Sequence, residues 1–246
     1  MTGLEWSGAS RLWLIDLDRE ADRARRLRPA LPACDHERAE SYSSAVDRER
    51  FLVGRTIVRV LLAALAGVRP DRLRLTSGRH GKPEIIPSGP TSPPLHFSVS
   101  KSAGRLLVAV DATAPVGVDI ECVRPDIDMD RIAARYFSSS EQRDLRRIPA
   151  GERTRCAYIC WTRKEAYLKG LGVGLTLGLD GFSVSVNPTG PVTISGSLPS
   201  AETLSGWSLV PVDVDRSAVA ALAVARSGEN CPRAITPNAL TYPYEP

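Results

Sequence analysis

The order of secondary-structure signals along the chain is its tightest constraint: a strand, helical segments and then short strands occur once before residue 112 and again after it. Arg11 to Leu17 alternates apolar and polar residues at the period of a half-buried strand, and an Arg-rich helical stretch follows to about Arg28. From His36 the pattern turns helical, with Asp47 as the expected N-cap before Phe51, Ile57, Val58, Leu61 and Leu62, and Gly67 and Pro70 as the stop. The Gly-, Pro- and Ser-rich segment from Thr76 to Pro94 reads as an exposed loop. Leu95–Ser100, Leu106–Val110 and Val116–Cys122 then read as strands joined by short turns, an antiparallel meander. A helix ending near Phe137, another opened by Ser138–Glu141, and a long one from Glu152 to Lys169 follow, with strands expected at 179–186, 192–195, 207–212 and 218–224. The expectation is an α+β fold in two halves with antiparallel sheets, residues 1–112 and 113–226, followed by an extended or disordered tail over 227–246.

Composition narrows the class. The chain of 246 residues is 43% hydrophobic and 24% charged, which suits a globular protein and excludes a fibrous repeat or a largely disordered chain. A net charge of +4 attracts anions weakly and falls short of a nucleic-acid binder, which would also interleave aromatics with clustered excess charge. Five cysteines, without a CxxC pair, fit reduced thiols and a cytoplasmic setting, with Cys156 and Cys160 packing inside a helix. The opening residues carry acids where a signal peptide would be apolar, and the longest apolar run, Ala218 to Ala225, is too short to span a bilayer. Just four of the 32 basic residues are lysines, Lys82, Lys101, Lys164 and Lys169, in a chain that otherwise uses Arg for positive charge.

Two constellations could do chemistry. Asp119 and Glu121 flank Ile120, so the strand period puts both carboxylates on one face. Trp161, Glu165 and Lys169 recur at helical spacing on one face of the long helix. Taken singly, the first reads as a solvated strand end and the second as a surface ion pair, although Trp161 argues that its face is covered. Taken together, three carboxylates suit Mg²⁺, which takes oxygen ligands and completes its shell with water and phosphate, while nearby lysines neutralise phosphate oxygens. Other templates fail: Gly170, Gly172 and Gly174 follow a helix instead of a strand, Gly78 to Pro83 lacks the P-loop spacing, and neither GxSxG nor HExxH occurs.

In order along the chain, Gly81-Lys82-Pro83, Phe97-Ser98-Val99-Ser100-Lys101-Ser102, Gly117-Val118-Asp119-Ile120-Glu121 and Trp161 to Lys169 resemble the blocks of the Sfp-type phosphopantetheinyl transferases, over roughly residues 36–186. The resemblance implies two pseudo-symmetric halves with the active site in the cleft between them. It implies transfer of the 4'-phosphopantetheine arm of coenzyme A to a serine of an acyl or peptidyl carrier protein, with release of adenosine 3',5'-bisphosphate. Carrier domains of polyketide or non-ribosomal peptide synthases are the implied partners; the chain's length, enough for both halves in one polypeptide, predicts a monomer, and its charge and short apolar runs predict no nucleic-acid or membrane partner. By the same resemblance Asp119, Glu121 and Glu165 hold Mg²⁺, Glu165 and Lys169 are catalytic, and Arg50, Lys82, Ser100, Lys101 and Lys169 contact coenzyme A, with Arg38 a weaker candidate. Lys101 stands where the family has histidine, and Ser98 where it has asparagine. That departure leaves open a non-catalytic relative that binds coenzyme A or a carrier protein.

Overall fold

The computed structural model describes residues 10–78, 80–87, 89, 94–174, 178–189, 191–196, 206–226 and 235–238. Before the middle of the chain come β1 (Arg11–Asp16), α1 (Ala21–Leu27), α2 (Ala33–Glu40), α3 (Ala45–Leu65), β2 (Leu75–Ser77), β3 (Pro83–Ile85), β4 (His96–Ser102) and β5 (Arg105–Asp111). After it come β6 (Val116–Cys122), α4 (Met129–Tyr136), α5 (Ser139–Arg147), α6 (Ala150–Leu171), β7 (Phe182–Val184), β8 (Ile194–Gly196), β9 (Ser208–Pro211) and β10 (Ala218–Val224). Helices and small antiparallel sheets mix as an α+β fold. One sheet has the order β1-β5-β4 and another β6-β10-β9, while β2-β3 and β7-β8 are two-stranded hairpins.

Several expectations need correction. The strands around residues 95–122 do not form a meander, because β6 pairs with β10 and β5 lies between β1 and β4. The reason lies in the connection: Asp111 accepts hydrogen bonds from the backbone N–H groups of Thr113 and Ala114 and pairs with Arg226, turning the chain into a new sheet instead of a hairpin. The segment from Thr76 to Pro94, expected as loop, instead contributes most of the β2-β3 hairpin, Leu75–Ser77 paired with Pro83–Ile85. The first helical pattern divides into α2 and α3, and Ser44, not Asp47, caps α3 by accepting the Asp47 N–H. The α5 cap matches the sequence signal, since Ser138 and Glu141 form a reciprocal capping box. Residues 235–238 are extended, with Ile235 bridging to Val212 and Asn238 to Trp13; the rest of the expected tail lies outside the described residues.

The two sheets share a core. Val116, Val118 and Ile120 of β6 and Ala218, Ala220 and Leu222 of β10 pack with Leu12, Leu107 and Ala109 from the first sheet. Burying each Val or Ile stabilises by about 1.5–3 kcal/mol, so the inter-sheet contact is a major part of the fold. The opposite face of β10, Val219, Ala221 and Ala223, packs on the α6 side with Ala166, Tyr167 and Leu168. Cys156 and Cys160 are buried in that core as free thiols, and burial pushes the Cys160 thiol well up, which suits packing rather than reactivity.

The position of the site depends on how closely α6 lies on β6. A Cβ on Gly117 would come within 2.0 Å of the Ala166 carbonyl oxygen and 2.1 Å of the Gly170 nitrogen, so strand and helix cross backbone to backbone. Asp119 and Glu121 follow Gly117 at the strand period and therefore share its face, towards the helix that carries Glu165 and Lys169.

Candidate active site

The structure brings Ser100, Asp119, Glu121, Glu165 and Lys169 together where β4 runs alongside β6. Three serines of β4 at period two form the seam. Ser98 Oγ accepts the Val118 N–H at 3.0 Å, Ser100 Oγ donates to Asp119 Oδ1 at 2.7 Å, and Ser102 Oγ donates to Glu121 Oε2 at 2.8 Å while accepting the Cys122 N–H. Lys169 Nζ crosses from α6 to Asp119 Oδ1 at 2.7 Å and Ser100 Oγ at 2.9 Å. Asp119 is 2% exposed, so its charge is held by this lysine and hydroxyl instead of water.

The carboxylates burden one another. Burial raises Asp119 against the opposing pull of Lys169 and Ser100. Burial and the Asp119 charge raise Glu121, and Ser102 pulls it back. Burial, then the Asp119 charge, raise Glu165 to about 7, against the pull of Lys169. Asp119 Oδ2 and Glu165 Oε1 are buried with no hydrogen-bond partner. Unmet acceptors and mutual repulsion are what an oxygen-loving divalent cation relieves, so the donor set fits Mg²⁺. The side chains do not converge as they stand: among the described residues, no three His, Cys, Asp or Glu groups gather at metal-holding spacing.

The other expected residues lie outside this hydrogen-bonded cluster. Lys82 Nζ donates to the carbonyls of Val116 and Gly170 at 2.9 and 3.0 Å, and burial lowers its pKa to about 8. Arg50 makes a two-pronged pair with Asp18, Nε to Oδ1 at 2.8 Å and Nη2 to Oδ2 at 2.6 Å, beside Gly104 in the β4-β5 turn. Lys101 points to the opposite side of β4 from Ser100 and is exposed, its Nζ 5.2 Å from the Tyr42 ring centroid and 5.6 Å from that of Phe51. Arg38 lies over the same Phe51 ring at 5.8 Å. Lys164, one residue from Glu165, has its Nζ 2.8 Å from Glu141 and donates to the carbonyls of Leu179 and Phe182 with no solvent exposure. Its motif position therefore serves the core. Trp161 is half-buried edge-on against Tyr136, so the upper part of the Glu165 face is covered, as its spacing suggested.

Sequence reasoning had no role for Ser98 and Ser102, although their period with Ser100 was a usable sign that one face of β4 is hydroxyl-lined. Tyr42 carried no sign at all, because its loop meets Lys101 through the tertiary fold.

Buried acids with unmet oxygens, joined to a lysine at the meeting of two small sheets, define an α+β protein equipped for phosphate-bearing substrates. The family profile described as the 4'-phosphopantetheinyl transferase superfamily matches residues 115–223, the segment that holds Asp119, Glu121, Glu165 and Lys169. The chain is 33% identical over 217 residues to 4'-phosphopantetheinyl transferase HetI of Nostoc sp. (strain PCC 7120 / SAG 25.82 / UTEX 2576), covering 88% of each chain. It is 35% identical over 170 residues to a 4'-phosphopantetheinyl transferase of Bacillus subtilis, covering 69% of this chain and 72% of that one. With 4'-phosphopantetheinyl transferase Sfp of Bacillus subtilis (strain 168) it shares 34% identity over 158 residues, covering 64% of this chain and 67% of that one. The chain belongs to the 4'-phosphopantetheinyl transferase superfamily.

Proposed function

We propose that this enzyme transfers the 4'-phosphopantetheine group of coenzyme A to a serine hydroxyl of an acyl or peptidyl carrier protein, with Asp119, Glu121 and Glu165 as the residues that hold Mg²⁺. The observation that carries the reading is the acid cluster itself, whose Asp119 Oδ2 and Glu165 Oε1 lie buried without partners beside Lys169. Mg²⁺ bound there supplies Lewis acidity and a template for the pyrophosphate. Glu165 is the carboxylate that takes the serine proton, since burial and then the Asp119 charge raise its proton affinity, to about 7 in the metal-free site. The serine oxygen forms a bond to the pantetheine phosphorus as the bond to the adenosine bisphosphate oxygen breaks. Lys169, already at the cluster, neutralises charge on the departing phosphate. Lys101 and Arg38, gathered over Tyr42 and Phe51, offer exposed positive charge to the nucleotide phosphates.

Residues 1–112 and 113–226 are the two halves in this reading, and the protein acts as a monomer, since both strands of the seam, β4 and β6, come from one chain. Among the described residues, no helix is long and apolar enough to cross a membrane. Incubation with Mg²⁺, coenzyme A and apo carrier proteins, including domains from polyketide and non-ribosomal peptide synthases, tests the proposal. A mass gain of one phosphopantetheine on the carrier is expected, and coenzyme A binding with no gain on any carrier would point to the non-catalytic relative.

A further inference from the structure

Lys82 is held beside the close crossing of the two elements that carry the acid cluster, β6 and α6. Its backbone closes the β2-β3 hairpin, with its carbonyl accepting the Gly78 N–H at 2.7 Å. Its side chain runs beside Gly172, the left-handed residue that ends α6, where a Cβ would stand 3.3 Å from Lys82 Cδ. Its ammonium then reaches Val116 at the start of β6 and Gly170 in the last turn of α6. Gly170 is one of the final residues of α6, whose carbonyls have no partner within the helix, and a cation is the natural donor to them. These two carbonyls flank the Gly117–Gly170 crossing, three residues before Asp119 and one after Lys169.

We propose that Lys82 is a positioning residue for the transfer reaction: by joining the β6 and α6 carbonyls at their crossing, it holds Asp119 and Lys169 in register instead of binding phosphate itself. The inference rests on the transferase reading of the acid cluster. Two of its three N–H donors are directed at carbonyls, and the burial that lowers its proton affinity is that of a cation among neutral acceptors, with Glu84 the carboxylate that opposes the shift. A phosphate ligand acts on substrate affinity, whereas a positioning residue acts on the alignment that governs the chemical step.

Lys82→Met and Lys82→Gln in the full chain separate the two roles. Met removes the donors and the charge, while Gln removes the charge and keeps two N–H donors. The positioning role predicts that Lys82→Met lowers kcat by about 10- to 100-fold with the coenzyme A KM unchanged. It also predicts faster backbone hydrogen exchange in peptides covering 116–119 and 168–173, and partial recovery of both measures in Lys82→Gln. Equal increases of KM in both variants, with kcat and exchange unaltered, would overturn the proposal in favour of a phosphate contact. Should Lys82→Met fail to fold, the same split in Lys82→Gln decides. A wild type that transfers nothing would refute the transferase reading, while unchanged exchange in Lys82→Met would refute the clamp, so the two failures are distinguishable.

Discussion

Replacing Glu165 with Gln should remove transfer and, without divalent cations, make the protein more stable. The Glu165 carboxyl has its pKa raised from 4.5 to about 7, first by burial and then by the Asp119 charge, so its ionised form is disfavoured in the folded state. At about 1.4 kcal/mol per tenfold change in proton affinity, the displacement bounds that penalty at about 3 kcal/mol. The carboxylate is half-buried, and solvent screening reduces the figure to about 1–2 kcal/mol. The sign follows from linkage: between the unfolded and folded values the native protein binds more protons, so stability rises as pH falls through about 7 and the gain is complete below about 4.5. Urea unfolding in chelator at about pH 8 and about pH 5 measures it. Glu165→Gln should exceed the wild type by about 1–2 kcal/mol at the higher pH and converge with it at the lower. A variant no more stable at the higher pH, with wild-type and variant curves parallel across the range, would refute the account of Glu165 as a carboxylate strained by burial and its acid neighbours.

Gly117→Ala places a methyl group 2.0 Å from the Ala166 carbonyl oxygen, so it should separate α6 from β6 and yield a protein with a lowered unfolding temperature and severely reduced transfer; native-like values for both would contradict the close crossing. Ala103, in the β4-β5 turn, has φ of 51°, and Ala103→Gly should relieve about 1 kcal/mol of strain, read as a higher urea midpoint with unchanged slope. Lys101→Ala should raise the coenzyme A KM with kcat retained, whereas Lys101→Arg should stay near wild type; an unmoved KM in the alanine variant would take Lys101 out of the phosphate contacts.

Much of this enzyme is legible in its sequence. The period of two in Gly117–Glu121 and of nearly four in Trp161–Lys169 is local geometry, so the sequence alone determined that Asp119 pairs with Glu121 on one strand face and Glu165 with Lys169 on one helix face. The Ser138–Glu141 cap was readable for the same reason, since its partners lie within a few residues, whereas the β2-β3 hairpin was hidden in a Gly- and Pro-rich segment. What the sequence could not determine depends on distant partners. The local turn at Asp111 does not by itself say that β6 leaves β5 for β10, because Asp111 also meets Arg226 across the fold. Nor does the motif separate its lysines: Lys164 and Lys169 lie on one helix, yet packing commits the first to Glu141 in the core and the second to Asp119 at the seam. Lys82 and Arg50 likewise received their partners, two carbonyls and Asp18, from the way the chain closes on itself. A side chain's chemistry is written in the sequence, but the groups that satisfy it come from elements far along the chain, and packing alone brings them within reach.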